Sequence, residues 1–154
     1  MKSDFFSALT AFIIYSVIII GISGYFVFND AIIGPMFIIL GILGIFALKI
    51  LKIKLKSVYP DVVFGVIDNG VLVFAAIIGA SYAGIAGAII GGAAGNAITD
   101  GIGGLFEGHV AQNQRKYEID NLRTPLATSL GKIIGCLLGA GVGLIIINLI
   151  KIIH

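Results

Sequence analysis

Charge is scarce in this chain. Asp, Glu, Lys and Arg make up 12% of its 154 residues, about half the share found in a soluble domain. Hydrophobic residues make up 58% and the mean hydropathy is +1.11. That balance excludes a separate water-soluble domain and reads as an integral membrane protein, a single all-α membrane domain over 1–154. Cysteine is nearly absent too, and the lone Cys136 excludes an internal disulfide. Met1 and Met36 are not placed to form a soft-metal site. Nor does the chain contain a Ser-His or Cys-His constellation, a His-Glu-x-x-His pair, a phosphate-binding Gly-x-x-x-x-Gly-Lys-Ser/Thr loop or a dinucleotide signature. The Asp-Gly-x-x-Ala-Arg pattern of phospholipid-head-group transferases is also missing. An enzyme is therefore not expected, a lipid-modifying one with intramembrane aspartates holding Mg being the version considered. The formal net charge is +2, with lysines clustered at membrane edges, so basicity here concerns topology and not nucleic acid.

What is present is a series of long apolar runs. Hydropathy and turn residues predict five transmembrane helices, at about 5–28, 31–51, 61–80, 84–106 and 126–150. The first run is too long for a signal peptide's apolar region and lacks a small-x-small cleavage site, so it reads as a retained span. Asn29-Asp30 separates the first two spans, and Gly34-Pro35 sits where proline is tolerated in a first helical turn. These two spans are assigned to packing and lipid contact. Lys49, Lys52, Lys54 and Lys56 alternate with Ile50, Leu51, Ile53 and Leu55, a snorkelling pattern that assigns the loop at about 52–60 to the cytoplasm. Ser81-Tyr82-Ala83 is too short for anything but an antiparallel hairpin of helices 3 and 4. The polar stretch at about 107–124, with Arg115, Lys116 and Arg123, reads as the second cytoplasmic loop, either solvated or a short interfacial helix. The amino terminus is then cytoplasmic and the carboxyl terminus outside.

Inside that central hairpin the sequence spends charge where it is expensive. Gly65-Val-Ile-Asp-Asn-Gly70 and Gly95-Asn-Ala-Ile-Thr-Asp-Gly101 each set an aspartate and an amide between glycines. With the turn centred near Tyr82, Asp68 falls level with Gly95 and Asn96, one turn from Asp100. Asp68, Asn69, Asn96, Thr99 and Asp100 together offer hard oxygens to a divalent metal ion or a proton. Glu107 and His109 are weaker candidates for gathering ions at the cytoplasmic mouth, where an ordinary solvated helix end is the plainer reading. The bland alternative for the acids is a hydrogen-bonded cluster that fixes helix register. Ile67–Phe74 and Thr99–Phe106 share a short motif in opposite senses across the bilayer, as in an inverted repeat.

Small residues at four-residue spacing let helices approach closely. Gly87, Gly91 and Gly95 mark helix 4, with Thr99 and Gly103 in line. Gly131, Gly135, Gly139 and Gly143 mark helix 5. The two stripes are expected to pack on each other or across a subunit boundary.

The run Phe64-Gly-Val-Ile-Asp-Asn-Gly70, then Gly95-Asn-Ala-Ile-Thr-Asp-Gly-Ile-Gly-Gly104, then Gln112-Asn-Gln-Arg-Lys-Tyr-Glu118, distantly resembles the first hairpin of the vacuolar iron transporter family. That family pairs an Asp-Gly motif with a small-residue helix ending in Ala-x-Ser-Met-x-x-Gly-Glu-Tyr. The resemblance implies proton-coupled transport of a divalent metal by a five-span dimer with the ion path on its two-fold axis. Asp68 matches the family's Asp, and Ala97-Ile98-Thr99 matches Ala-x-Ser. Asp100 stands where the family has a metal-binding Met, an exchange that favours harder ions. Gly104 replaces the Glu before Tyr. Here two spans precede the hairpin, and the family's acidic cytoplasmic domain is missing.

The expected function is a small divalent-cation transporter or channel, with no tightly bound cofactor and the metal ion as substrate. A homodimer in the lipid bilayer is favoured, because five short helices enclose little space. The alternative is a non-transporting scaffold or accessory subunit packed through its glycines.

Overall fold

The computed structural model describes residues 2–29, 32–116 and 124–153. Among these the chain is all-helical: α1 (Lys2–Phe28), α2 (Gly34–Ile50), α3 (Leu55–Lys116) and α4 (Pro125–Ile153). The five separate helices expected are not found. Four form, because the residues assigned to spans three and four belong to one element, α3, that reverses at Ala83 (φ −140°, ψ 26°) and Gly84 (φ 57°, ψ −136°). The Gly84 conformation is strained for a residue with a Cβ, so Ala83 and Gly84 make the turn without a longer loop. Three stretches are long and apolar enough to cross a membrane, Ala8–Phe28, Leu55–Phe106 and Pro125–Ile150. The fourth helix, α2, has 17 residues.

Several expected boundaries move. The first arm of α3 starts at Leu55, not Asp61, and carries Pro60 inside it. Pro60, the sixth residue of α3, denies the Lys56 carbonyl its ladder bond, a cost confined to the start of the helix. The expected loop at 52–60 thus shrinks to a tight turn. In it the Lys52 N–H donates to the Lys49 carbonyl at 3.1 Å and the Ile53 N–H reaches the Leu48 carbonyl at 2.9 Å. This is a Schellman closure, and Lys52 holds its left-handed position at φ 56°. The expected loop at 107–124 is helical as far as Lys116. Its remainder, 117–123, and the inter-span residues Asp30 and Ala31 lie outside the described residues.

The arms of α3 lie antiparallel with their backbones nearly touching. A Cβ on Gly79 would run into the Gly87 carbonyl and one on Gly87 into the Gly79 carbonyl, while a Cβ on Gly91 would strike the Ala75 carbonyl. Further along, Gly95 sits over Ala75 and Gly103 over the Phe64 ring.

The stripe on α4 packs elsewhere than expected. Gly131 faces Val58 and Asp61, Gly135 faces Val62 and Gly65, Gly139 faces Val66, and Gly143 faces Gly70 and Val73. These glycines therefore meet the first arm of α3, running parallel to it, and not the helix that carries Gly87, Gly91 and Gly95. Both glycine stripes grip the same arm from different sides. Sequence spacing marks a close-packing face but does not name its partner, which explains the misassignment.

On the remaining side of α4, α2 runs antiparallel. Gly34 meets Gly141 and Ile145, and Gly41 meets Leu138. Buried Leu48, Val58, Ala127, Leu130 and Ile134 form the core where α2, α3 and α4 converge, with Tyr15 and Ile53 packed against it. α1 is held more lightly, in part by the Tyr15 hydroxyl donating to the Leu40 carbonyl at 2.9 Å. Tyr15→Phe is expected to cost about 1 kcal/mol through that one bond, read as a lower unfolding midpoint of the detergent-solubilised protein.

The direction of the helices sorts the charges. The α2–α3 turn and the starts of α1 and α4 lie at one end, where Phe5 and Leu9 line a cavity with Pro125 and Ser129. Lys49, Lys52, Lys54 and Lys56 occupy that end, and the second arm of α3 returns to it with Arg115 and Lys116. The reversal at Ala83–Gly84 marks the opposite end.

Candidate functional site

Antiparallel arms that approach this closely bring chemistry together only where one arm has a small residue and the other a polar one. Asp68 and Thr99 meet that condition. Asp68 is 8% exposed and Thr99 3% exposed, and the Thr99 hydroxyl donates to Asp68 Oδ1 across the hairpin. The reversal at 83–84, not at Tyr82, shifts the register by about three residues, so Asp68 stands opposite Thr99 and not opposite Gly95 and Asn96.

Thr99 Oγ1 has one proton and three acceptors within reach: Asp68 Oδ1 and, at 3.0 Å each, the carbonyls of Gly95 and Asn96. A hydroxyl donates once and accepts twice. With Asp68 ionised, the proton goes to the carboxylate. With Asp68 protonated, the acid donates to Thr99 and Thr99 turns its proton onto a carbonyl of its own helix. Both protonation states are hydrogen-bonded without moving the backbone.

The other expected ligands point elsewhere. Asn96 Nδ2 donates to Asp100 Oδ2 at 2.9 Å, along one helix. Asp100 is exposed on the second arm, on the side of the helix away from exposed Ile98 and Ile102. Asn69 faces the opposite way, into a cavity of about 330 Å³ shared with Lys132, Cys136, Ile19 and Phe37. The five residues therefore divide over three faces of the hairpin. Among the described residues no three His, Cys, Asp or Glu side chains come together as a metal site. Glu107 and His109 lie on the helical continuation of α3 towards Lys116, and His109 is exposed.

One acid was missed. Asp61 was read only as the start of a span, yet it is fully buried, next to fully buried Val58 and nearly buried Ser57. Gly131 makes the room: a Cβ there would come to 3.0 Å from the Cβ atoms of Asp61 and Val58. The signal was available, since Asp61 and Asp68 are seven residues apart and so share one face of the first arm, about 10 Å apart along its axis. Near this line Lys132 holds its ammonium 5.2 Å from the Phe64 ring centroid, a cation–π distance.

No family model, curated protein or solved structure matches this chain.

Proposed function

We propose that the protein is embedded in the bilayer and passes a divalent cation along the α3 hairpin, as a transporter or channel built from two copies of the chain. The observation that carries this reading is the position of Asp100. Its carboxylate is exposed on the outer face of an arm, inside the apolar stretch Leu55–Phe106. A charge within the hydrocarbon is costly, about 2.5–3.5 kcal/mol or more at the bilayer centre and less toward the interface. By helical rise Asp100 lies on the order of 24 Å from the reversal, in the half of a roughly 30 Å core nearer the lysine end. Lipid does not solvate it there, so water, a cation or a second subunit has to.

A second copy related by a two-fold axis answers this need, because an isologous contact sets the same Asn96–Asp100 face of each protomer against the other. Two such pairs give four hard oxygens or more, the ligand type that suits Mg, Ca or Mn. Buried Asp61 and Asp68 extend a line of acids inward from the lysine end. The positive-inside rule sets that end in the cytoplasm, and with it the amino terminus.

A scaffold or accessory subunit is the second reading. It is favoured by one specific observation: Asp68 and Thr99 are hydrogen-bonded to each other across the hairpin within the protomer, as a register-fixing contact would be. The two readings part on transport itself. Purified protein in proteoliposomes, screened with Mg, Mn, Fe(II), Co and Zn with and without a pH gradient, is expected to take up at least one of these ions faster than protein-free vesicles. No uptake of any ion by folded protein overturns the transport reading and leaves the scaffold.

A further inference from the structure

The lysines of the α2–α3 turn do more than mark topology. Four cations, Lys49, Lys52, Lys54 and Lys56, are exposed around a turn of a few residues, and between them Ile50 is 81% exposed and Leu51 and Leu55 about half exposed. A positive-inside signal is satisfied by lysines on a loose loop, since it depends on their number near the span and not on their geometry. Here the geometry is fixed. The two closing hydrogen bonds tie Lys52 and Ile53 to the end of α2, and Ile53 packs against the buried core that includes Leu48 and Val58. Ser57 adds a side-chain bond to the Lys54 carbonyl at 2.7 Å.

Two observations show that the charge itself is wanted at this place. Lys52 occupies the left-handed position at φ 56°, where glycine is the usual residue because a Cβ is strained there. This chain has 22 glycines, and it sets a lysine in that position. The second observation is depth. α2 has 17 residues, about 25 Å of helix against a hydrocarbon core of about 30 Å. A helix this short draws its end residues toward the headgroups. The exposed Ile50, Leu51 and Leu55 suit the acyl boundary, while the ammonium groups suit the phosphates just above it.

We infer that the α2–α3 turn is a rigid binding surface for the phosphate headgroups of anionic lipids in the adjoining leaflet. It holds the short helix α2 at its depth and, through Leu48 and Val58, the start of the hairpin beside it. Anionic lipid attraction amounts to roughly fivefold in affinity per lysine near the surface, so four lysines give a strong preference over zwitterionic lipid.

The test uses the full chain in detergent and follows its unfolding midpoint on titration with phosphatidylglycerol, with phosphatidylcholine of the same acyl chains, and with inorganic phosphate. Wild type is expected to be stabilised by phosphatidylglycerol at concentrations at least tenfold lower than by phosphatidylcholine, and not by inorganic phosphate. The variant with all four lysines changed to Gln is expected to keep its midpoint without lipid and to lose that preference. Lys52→Gly provides a check independent of folding defects: removing the Cβ strain raises the lipid-free midpoint while the phosphatidylglycerol response weakens about fivefold. Equal stabilisation by the two lipids, an equal response to inorganic phosphate, or an undiminished preference in the four-Gln variant would each overturn the inference.

Discussion

Gly139→Leu is expected to abolish the folded bundle. A Cβ at Gly139 would run into the Val66 carbonyl oxygen and lie 2.8 Å from the Val66 Cα and carbonyl carbon. All three are backbone atoms in the middle of a helix, so no rotamer change clears them, and the helices must separate along their whole contact. Overpacking a core commonly costs about 1–3 kcal/mol where side chains can shift. A backbone clash in the centre of the α3–α4 crossing exceeds that, and it threatens most of a marginal stability of about 5–15 kcal/mol. The comparison is internal. Gly101 and Gly104 have nothing within 4 Å of an added Cβ, so Gly101→Ala and Gly104→Ala are expected to fold as well as wild type. Monodisperse elution and helical circular dichroism after detergent extraction check all three. If Gly139→Leu were recovered folded while Gly104→Ala was lost, the helix packing described above would be wrong, and Gly104 would instead face a partner.

The second large effect separates structure from function at the Asp68–Thr99 pair. Thr99→Val removes the hydroxyl and leaves a buried acid without its cross-arm donor, which is expected to destabilise by about 1–3 kcal/mol. Replacing both partners by apolar residues of similar size is commonly far milder than removing one. The double variant Asp68→Leu with Thr99→Val is therefore expected to recover most of the stability lost in Thr99→Val alone. Transport and scaffolding then predict different fates for this well-folded double variant. As a transporter it takes up ions at least tenfold more slowly, because one acid of the line, Asp68, is gone. As a scaffold it keeps everything the protein does. Unfolding midpoints of the single and double variants, with ion uptake measured on the same preparations, distinguish the two.

Much of this architecture is legible in the residues, and the misses have physical causes. Long apolar runs and glycine periodicity announce helices that pack closely. The short polar interval at Ser81–Ala83 forces a hairpin, although nothing in it says that the reversal needs only Ala83 and Gly84, so that α3 counts as one element. The three-residue error in register follows from that, since an antiparallel pair moves every partner when its pivot moves. Asp68 and Thr99 were both singled out, but their direct contact depends on the pivot. Which neighbour a glycine stripe grips was not legible, because two small-residue faces on different helices look alike in one dimension. Asp61 was overlooked behind Pro60, which marks a helix start by habit and here stands inside the first turns of α3. The separation of Asn69, Asn96–Asp100 and Asp68–Thr99 onto three faces follows from the 100° turn per residue of a helix, which scatters adjacent residues however close they stand in sequence.

The central claim is that the hairpin acids carry a cation, and it is tested most directly by ion uptake into proteoliposomes by wild type, Asp68→Asn and Asp100→Asn at matched amounts of folded protein. Asparagine keeps the shape of each side chain and one oxygen to accept the bond from Thr99 or Asn96, and removes the charge. The account predicts that each substitution lowers the initial uptake rate at least tenfold. Uptake at the wild-type rate by both folded variants would contradict it.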